Sequence, residues 1–176
     1  MRLFIGIRLP ENVKDYLFRT SQLLKKQSIS GNFTKKNNFH LTLVFIGEVD
    51  ASGLLQIIEM LDQVSFEPFS FQLDQIGKFY SKGSGDIFWV GVNSVARLEQ
   101  VYHRFVNELC KLQFSIEIKN YNPHITLGRK VVIKDAISMD ILTKHTLKTE
   151  IIVNEITLFE SKRIDNELVY QELYTK

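Results

Sequence analysis

The sequence predicts an α+β fold of two similar lobes, a bilobal duplicated fold in which two antiparallel sheets carry helices on their outer faces and enclose a central cleft. Segments with strand composition alternate with segments whose apolar residues have helical spacing. The second half of the chain repeats a local pattern of the first half at a constant offset in sequence. Because no Pro-, Gly- or Ser-rich linker interrupts the chain, we expect residues 1–176 to form a single domain of two pseudo-symmetric lobes.

The first half of the chain reads as strand, helix, strand, helix. Residues 2–9 are rich in branched and aromatic apolar types, which favour a strand. Pro10 closes that strand and begins a helix ending near Lys26, with acidic residues at its start and lysines at its end, as the helix dipole favours. Residues 39–46 predict a second strand, and residues 52–63 carry a helical stripe of leucines and isoleucines.

The second half repeats this alternation and adds further strands. An amphipathic helix is predicted from apolar residues at helical spacing: Leu98, Val101, Tyr102, Phe105, Val106 and Leu109. Strands are predicted at 69–76, 87–93, 124–128, 150–159 and 167–174, with turn chemistry at 81–86 and at Asp165-Asn166.

The duplication is clearest at two histidines. The separation between His40 and His124 along the chain equals the separation between Phe4 and Phe88, which open matching strands. We therefore expect the two histidine strands, and the two strands that precede them, to occupy equivalent places in the two lobes.

Each of the two matching strands carries a His-x-Thr-Leu motif. The first reads His40-Leu41-Thr42-Leu43, and the second reads His124-Ile125-Thr126-Leu127. Side chains alternate between the faces of a strand, so each His shares a face with its Thr while the apolar residues face the core. Two such strands related by duplication can set two imidazoles and two hydroxyls around one cleft.

That set of side chains suits phosphodiester chemistry. A neutral imidazole can take a proton from an attacking water, and a protonated one can give a proton to the departing oxygen. Threonine hydroxyls can donate to the non-bridging phosphate oxygens, where negative charge accumulates. The other two histidines, His103 and His145, lack the motif.

Other interpretations of these residues remain open at this point. A strand histidine often has only a structural role, and a zinc site is possible in principle, although neither motif strand carries Cys, Asp or Glu on the face of its His. Trp89 is a candidate for stacking on a base, with core packing as the alternative. Phosphate could be attracted by three basic pairs, whose alternative is a solvated surface: Lys35 and Lys36, Lys78 and Lys82, and Arg129 and Lys130.

The chain resembles the two-histidine (2H) phosphoesterases, and most closely the LigT-like RNA 2',3'-cyclic phosphodiesterases. The paired HxTx motif is specific to the superfamily. The branch is indicated by the flanking phrases: the opening Arg2–Pro10, Phe45-Ile46-Gly47-Glu48, Phe88-Trp89-Val90-Gly91-Val92 and Pro123–Arg129.

The resemblance implies hydrolysis of RNA 2',3'-cyclic phosphate ends to 2'-phosphomonoesters without a metal or other cofactor. It implies that His40 is the proton donor, that His124 is the proton acceptor, and that Thr42, Thr126 and Arg129 hold the phosphate. Strand parity puts Arg129 opposite His124, so Arg129 reaches the cleft only through a bulge or at the end of the strand. A small cyclic or 2',5'-linked nucleotide as substrate, the reverse joining of RNA ends, and a non-catalytic RNA-binding role are the alternatives.

Composition limits the partners and the compartment. A net charge of +2 is too small to indicate nucleic-acid binding without a local arrangement of charge. The single Cys110 excludes an internal disulfide and suits a reducing compartment. With no apolar run of membrane-spanning length and no signal peptide at the start, we expect a cytoplasmic monomer with RNA or oligonucleotide ends as its partner, no membrane contact and no obligate protein partner.

Overall fold

The fold was obtained as a computed structural model that describes residues 1–81, 83, 85–118, 120–134 and 149–176. The strands are β1 (Arg2–Arg8), β2 (Ser28–Phe33), β3 (His40–Glu48), β4 (Phe69–Phe79), β5 (Asp86–Val92), β6 (His124–Ile133), β7 (Glu150–Val153), β8 (Thr157–Ile164) and β9 (Glu167–Thr175). The helices are α1 (Glu11–Lys26), α2 (Ala51–Gln63) and α3 (Val95–Lys111), and a short 3-10 turn covers Lys36–Asn38. His145 and two residues of the predicted 81–86 turn lie outside the described residues.

The strands form two antiparallel sheets, as predicted. The first sheet has the order β3-β1-β8-β9, and the second has the order β2-β6-β5-β4-β7. In each sheet the motif strand pairs with the first strand of its own half, β3 with β1 and β6 with β5. The α+β fold of two sheets with a duplicated core arrangement is thus confirmed.

Each long helix crosses to cover the sheet of the other half. Helix α1, which follows β1, packs against β2 and β6, while α3, which follows β5, packs against β3. The apolar stripe of α1 is buried at Val13, Leu17 and Leu24, as its sequence spacing predicts. Every second residue of the strands beneath the helices also enters the core, so Leu41 and Ile125 are fully buried. The opposite faces of β3 and β6 are left for the motif side chains.

Two parts of the predicted element order were wrong or missing. Residues 150–159 do not form one strand: β7 ends at Val153 and pairs with β4, whereas β8 begins at Thr157 and pairs with β1 in the other sheet. The chain has to break there because it passes from one sheet to the other. Strand β2, which carries few large apolar residues, was not predicted, although it pairs with β6 beside the second motif.

A bulge interrupts both motif strands at equivalent positions. In β3 the pairing with β1 skips Leu43, and in β6 the pairing with β5 skips Leu127, so the skipped residue is in both cases the leucine that ends the motif. The predicted equivalence of Phe4 and Phe88 is wrong by one residue, because Ile5 pairs with Val44 whereas Phe88 pairs with Gly128. As a result Phe4 faces His40, while Phe88 lies in the core.

Within the described part of the chain, no helix is both long enough and apolar enough to cross a membrane.

Candidate active site

The first motif histidine is oriented by the backbone just before β3. The Nδ1 atom of His40 lies 2.7 Å from the carbonyl oxygen of Asn38. A carbonyl only accepts, so Nδ1 carries the proton and the neutral ring presents an unprotonated Nε2. That Nε2 lies 2.8 Å from the Thr42 hydroxyl, which donates to it. The Asn38 side chain is anchored in turn, since its amide donates to the Leu168 carbonyl at 2.8 Å and its oxygen accepts from Tyr170 N at 3.3 Å.

The second motif histidine is held in the same way. Its Nδ1 lies 2.7 Å from the carbonyl oxygen of Asn122, two residues upstream, so Nε2 of His124 is again the available nitrogen. Asn38 and Asn122 thus occupy equivalent positions in the two halves. The sequence interpretation missed these partners because the contact is made by backbone. The repeated Asn-x-His spacing was nonetheless a signal in the sequence.

Arg129 lies on the same face of β6 as His124 because of the bulge at Leu127, which is one of the two conditions that strand parity set for it. Beyond the bulge at Leu127, residue 128 occupies the core face and residue 129 the motif face. The Arg129 Nη2 donates to the Thr126 hydroxyl oxygen at 3.3 Å. The bulged carbonyl of Leu127 accepts from the Thr34 amide at 2.9 Å and from the Ser21 hydroxyl at 3.1 Å, which keeps the irregular backbone hydrogen-bonded.

The two motif strands also contact each other directly. Tyr121, just before β6, donates its hydroxyl hydrogen to the Thr42 carbonyl of β3 at 3.0 Å. Its ring stacks on Tyr102 of α3, with centroids 4.5 Å apart. This contact joins the segment before β6 to the first motif strand, and His124 lies near enough to His40 for its charge to act on that ring.

Burial and neighbouring positive charge lower the pKa of both imidazoles, which favours their neutral forms in the free protein. Burial is the largest cause that lowers the pKa of His40 from its ordinary 6.5 to about 4, and the positive charges of Arg129 and His124 lower it further. The hydrogen bond to the Asn38 carbonyl acts in the opposite direction and raises the pKa. Burial also lowers the pKa of His124, and Arg129 contributes there as well, whereas the bond to Asn122 acts in the opposite direction. A negative phosphate entering this cleft would favour the protonated imidazole.

Aromatic rings form the walls beside the histidines. Phe4 and Tyr170 lie 4.7 Å and 4.9 Å from the His40 ring, centroid to centroid. Phe79 and Trp89 lie 5.1 Å and 6.0 Å from the His124 ring. Trp89 is half-buried on the motif face rather than in the core, and its buried Nε1 has no hydrogen-bond partner among the described residues.

The Trp89 ring needs a glycine beneath it. A Cβ atom on Gly77 of the neighbouring strand would come within 2.3 Å of the ring. Glycine at position 77 therefore allows the indole to lie flat on β4, beside His124.

Three of the other predicted phosphate-attracting lysines are paired with acids. Lys35 pairs with Glu167, Lys36 pairs with Asp15 and with Glu11, and Lys78 pairs with Asp86. Lys82 lies outside the described residues. Over the described residues, no group of three or more His, Cys, Asp or Glu side chains is placed to hold a metal ion.

The lowered pKa of His40 predicts a pH dependence of stability. The unfolded chain takes up a proton near pH 6.5 and the folded chain only near pH 4, so the free energy of unfolding falls as the pH drops through this window. From pH 7 to pH 5, His40 alone should account for about 1.5–2 kcal/mol. In urea unfolding, the free energy of unfolding of His40→Gln should fall less between pH 7 and pH 5 than that of the unaltered protein. His103→Gln, at an exposed helix position, should show the same fall as the unaltered protein. Equal pH dependence in all three would contradict the expectation.

Comparison with known proteins identifies the family. The family profile described as LigT like Phosphoesterase matches residues 7–89. The chain is 34% identical to the RNA 2',3'-cyclic phosphodiesterase of Thermotoga maritima, covering 99% of this chain and 94% of that protein. It is 30% identical to the protein of the same name from Archaeoglobus fulgidus, covering 98% of each.

Solved structures show the same fold. Escherichia coli LigT, determined in complex with 3'-AMP, superposes with a TM-score of 0.81 at 22% identity, covering 99% of this chain and 96% of that one. Its apo form superposes with a TM-score of 0.78. Two relatives share 34% and 30% identity with nearly the whole chain, and the duplicated sheets and paired motifs agree with them. This chain therefore belongs to the LigT-like phosphoesterase family.

Proposed function

We propose that this protein hydrolyses the 2',3'-cyclic phosphate at the end of an RNA to a 2'-phosphomonoester, by acid–base catalysis between two histidines and without a metal ion. The observation that carries the proposal is the duplicated histidine arrangement. In both motifs a backbone carbonyl two residues upstream accepts a hydrogen bond from Nδ1–H, which leaves Nε2 for the substrate. The full-length relatives named RNA 2',3'-cyclic phosphodiesterase support the choice of substrate.

In the proposed reaction, water attacks phosphorus opposite the ribose 3'-oxygen. His124 Nε2 accepts a proton from the water as the new P–O bond forms, and His40 Nε2–H donates a proton to the 3'-oxygen as the old P–O bond breaks. Because His40 is neutral in the free protein, it takes up its proton as the anionic substrate binds. The product is a 2'-phosphomonoester beside a free 3'-hydroxyl, and exchange with solvent restores both histidines.

The phosphate oxygens would be held from both sheets. Thr42 contributes a hydroxyl beside His40, and Thr126 contributes a second one to which the Arg129 guanidinium is already bound. Charge-assisted hydrogen bonds from a guanidinium stabilise the negative charge that grows on these oxygens in the transition state. Arg129 therefore acts as an electrostatic stabiliser in this proposal, and neither threonine needs to change its protonation state.

The product assay is the direct test. We expect a short RNA ending in a 2',3'-cyclic phosphate to be converted to the 2'-phosphomonoester at the same rate in EDTA as in buffer without it. The position of the product phosphate can be assigned by ³¹P NMR against 2'- and 3'-phosphate standards. Loss of activity in EDTA with recovery on adding zinc would contradict the metal-free mechanism, and a 3'-phosphate product would contradict the proposed bond cleavage.

The pH profile gives a second test. One histidine must be neutral while the other is charged, so kcat/KM should be bell-shaped and report the pKa values of the free protein. Burial lowers the pKa of both His40 and His124, so we expect the optimum of kcat/KM below pH 6.5. The kcat profile should lie at higher pH, because the bound anion favours protonated imidazole. A kcat/KM optimum above pH 7 would contradict this reasoning.

A further inference from the structure

We propose that Arg2, held over the ring of Phe45, forms a second phosphate subsite that binds the phosphodiester on the 5' side of the terminal nucleoside. This rests on the proposed function, because a phosphodiester in that position exists only in an oligonucleotide. The subsite would make the protein prefer RNA ends over cyclic mononucleotides.

The first step of the argument is the strand position of Phe45. It lies three residues beyond Thr42, just after the β3 bulge, as Arg129 lies three residues beyond Thr126 in β6, so the two positions are counterparts. In the pairing with β1 it lies opposite Phe4, whose ring contacts His40, so Phe45 faces the cleft. Its side chain is 47% exposed, so its ring is accessible from solvent at this end of β3.

The second step is the guanidinium above this ring. Arg2 lies two residues before Phe4 on the same face of β1, and its Cζ lies 4.9 Å from the centroid of the Phe45 ring. A cation over an aromatic face is held by the ring's quadrupole while its N–H groups stay free to donate. In β6 this position is occupied by Arg129 itself. In β3 it is occupied by Phe45, whose ring supports Arg2 of the neighbouring strand β1.

The third step is the charge balance along β1. Arg8, at the far end of this strand on the same face, is neutralised by Glu155 and Glu172. Among the described residues, no carboxylate lies within ion-pair distance of the Arg2 guanidinium. Glu48, which pairs with Arg2 across the strands, has its carboxylate 3.7 Å from the Met1 ammonium instead. The cleft is thus cationic at the Arg2 end and neutralised at the Arg8 end.

The guanidiniums of Arg2 and Arg129 both lie near enough to Tyr170 for their charges to act on its hydroxyl. Burial raises the pKa of the Tyr170 hydroxyl, and the positive charges of Arg129 and Arg2 both oppose that rise. Tyr170 also contacts the His40 ring at 4.9 Å. The Arg2 subsite therefore lies beyond Thr42 along β3, as Arg129 lies beyond Thr126 along β6. Thr42 and Phe45 pair with Gly6 and Phe4, which are two residues apart on β1, so they are about 7 Å apart at the rise of an extended strand. The neighbouring nucleotide of an extended RNA can bridge that distance.

The test measures binding of product-type ends, so it does not depend on turnover. Calorimetry would compare ApA carrying a terminal 2'-phosphate with adenosine 2'-phosphate over a range of salt concentrations. We expect the dinucleotide to bind the unaltered protein about tenfold more tightly, the scale of one charge-assisted hydrogen bond. Arg2→Gln should abolish that preference and reduce the salt slope by about 0.7 for the dinucleotide alone. Phe45→Leu should lose part of the preference, and Arg104→Gln, an exposed arginine of α3, should lose none.

Several outcomes would overturn the subsite. One is equal affinity of the unaltered protein for both ligands. Another is an Arg2→Gln variant that keeps the preference and the salt slope. A third is equal weakening of the binding of both ligands by Arg2→Gln, which would assign Arg2 to the reacting phosphate. Failure of the proposed function looks different. If the protein shows the Arg2-dependent preference and yet does not hydrolyse the cyclic end, the proposed reaction is wrong and the subsite is supported.

Discussion

Replacing His40 or His124 by alanine is expected to lower turnover of an RNA 2',3'-cyclic phosphate by about 10²–10⁴ in each case, the scale for losing a general acid or base. Each ring presents Nε2 to the cleft because a backbone carbonyl holds its Nδ1 proton. Among the described residues, the side chains that hydrogen-bond to the motif histidines and threonines are hydroxyls and the Arg129 guanidinium, and neither type replaces an imidazole as a general acid or base. Steady-state rates on the purified variants measure the effect.

Controls separate the loss of chemistry from the loss of structure. His103→Ala, at an exposed helix position, should retain full turnover. Thr42→Ala and Thr126→Ala should cost less than either histidine, because a neutral hydroxyl is one of several phosphate donors, with roughly 10²–10³ as the upper limit. Thr→Ser should be milder than Thr→Ala. If both histidine variants fold and keep full activity on the natural substrate, the two-histidine mechanism is wrong.

The leaving group should separate the acid from the base. In a phosphodiester of 4-nitrophenol, the nitrophenolate leaving group departs without being protonated. A variant that lacks only the proton donor should therefore recover most of its rate on this substrate. We expect His40→Ala to recover by about 10²-fold or more relative to its loss on the cyclic phosphate. His124→Ala should stay impaired on both, because the attacking water still needs a base. Release of nitrophenolate is followed directly by its absorbance.

This experiment matters because the free protein does not present His40 as an acid. Burial brings the pKa of His40 down to about 4, so at neutral pH its Nε2 accepts a hydrogen bond from Thr42. The proposed donor role requires the bound anion to raise that pKa. Recovery of His124→Ala in place of His40→Ala would exchange the two roles and keep the mechanism. Recovery of neither variant would contradict a proton donor in the rate-limiting step.

The sequence alone was sufficient for the parts of the molecule that depend on local periodicity. The face shared by His40 and Thr42 follows from the two-residue period of a strand, and the buried stripe of α1 follows from helical spacing. The repeated motif strand predicted a duplicated fold, and the two sheets with equivalent bulged motif strands confirm it, although the offset of the motifs does not extend to Phe4 and Phe88. These features can be read along the chain, so the order of residues is enough to determine them.

Tertiary structure decided what depends on pairing between distant strands. Nothing local shows that the chain changes sheets between Val153 and Thr157, because either side reads as a strand by composition. Parity alone pointed Arg129 away from the cleft, and only the bulge in the pairing with β5 turns it back beside Thr126. A bulge is a property of two strands in register rather than of one sequence segment. The pKa of His40 is likewise lowered by burial and by charges from the other sheet, neither of which exists until the two halves are packed together.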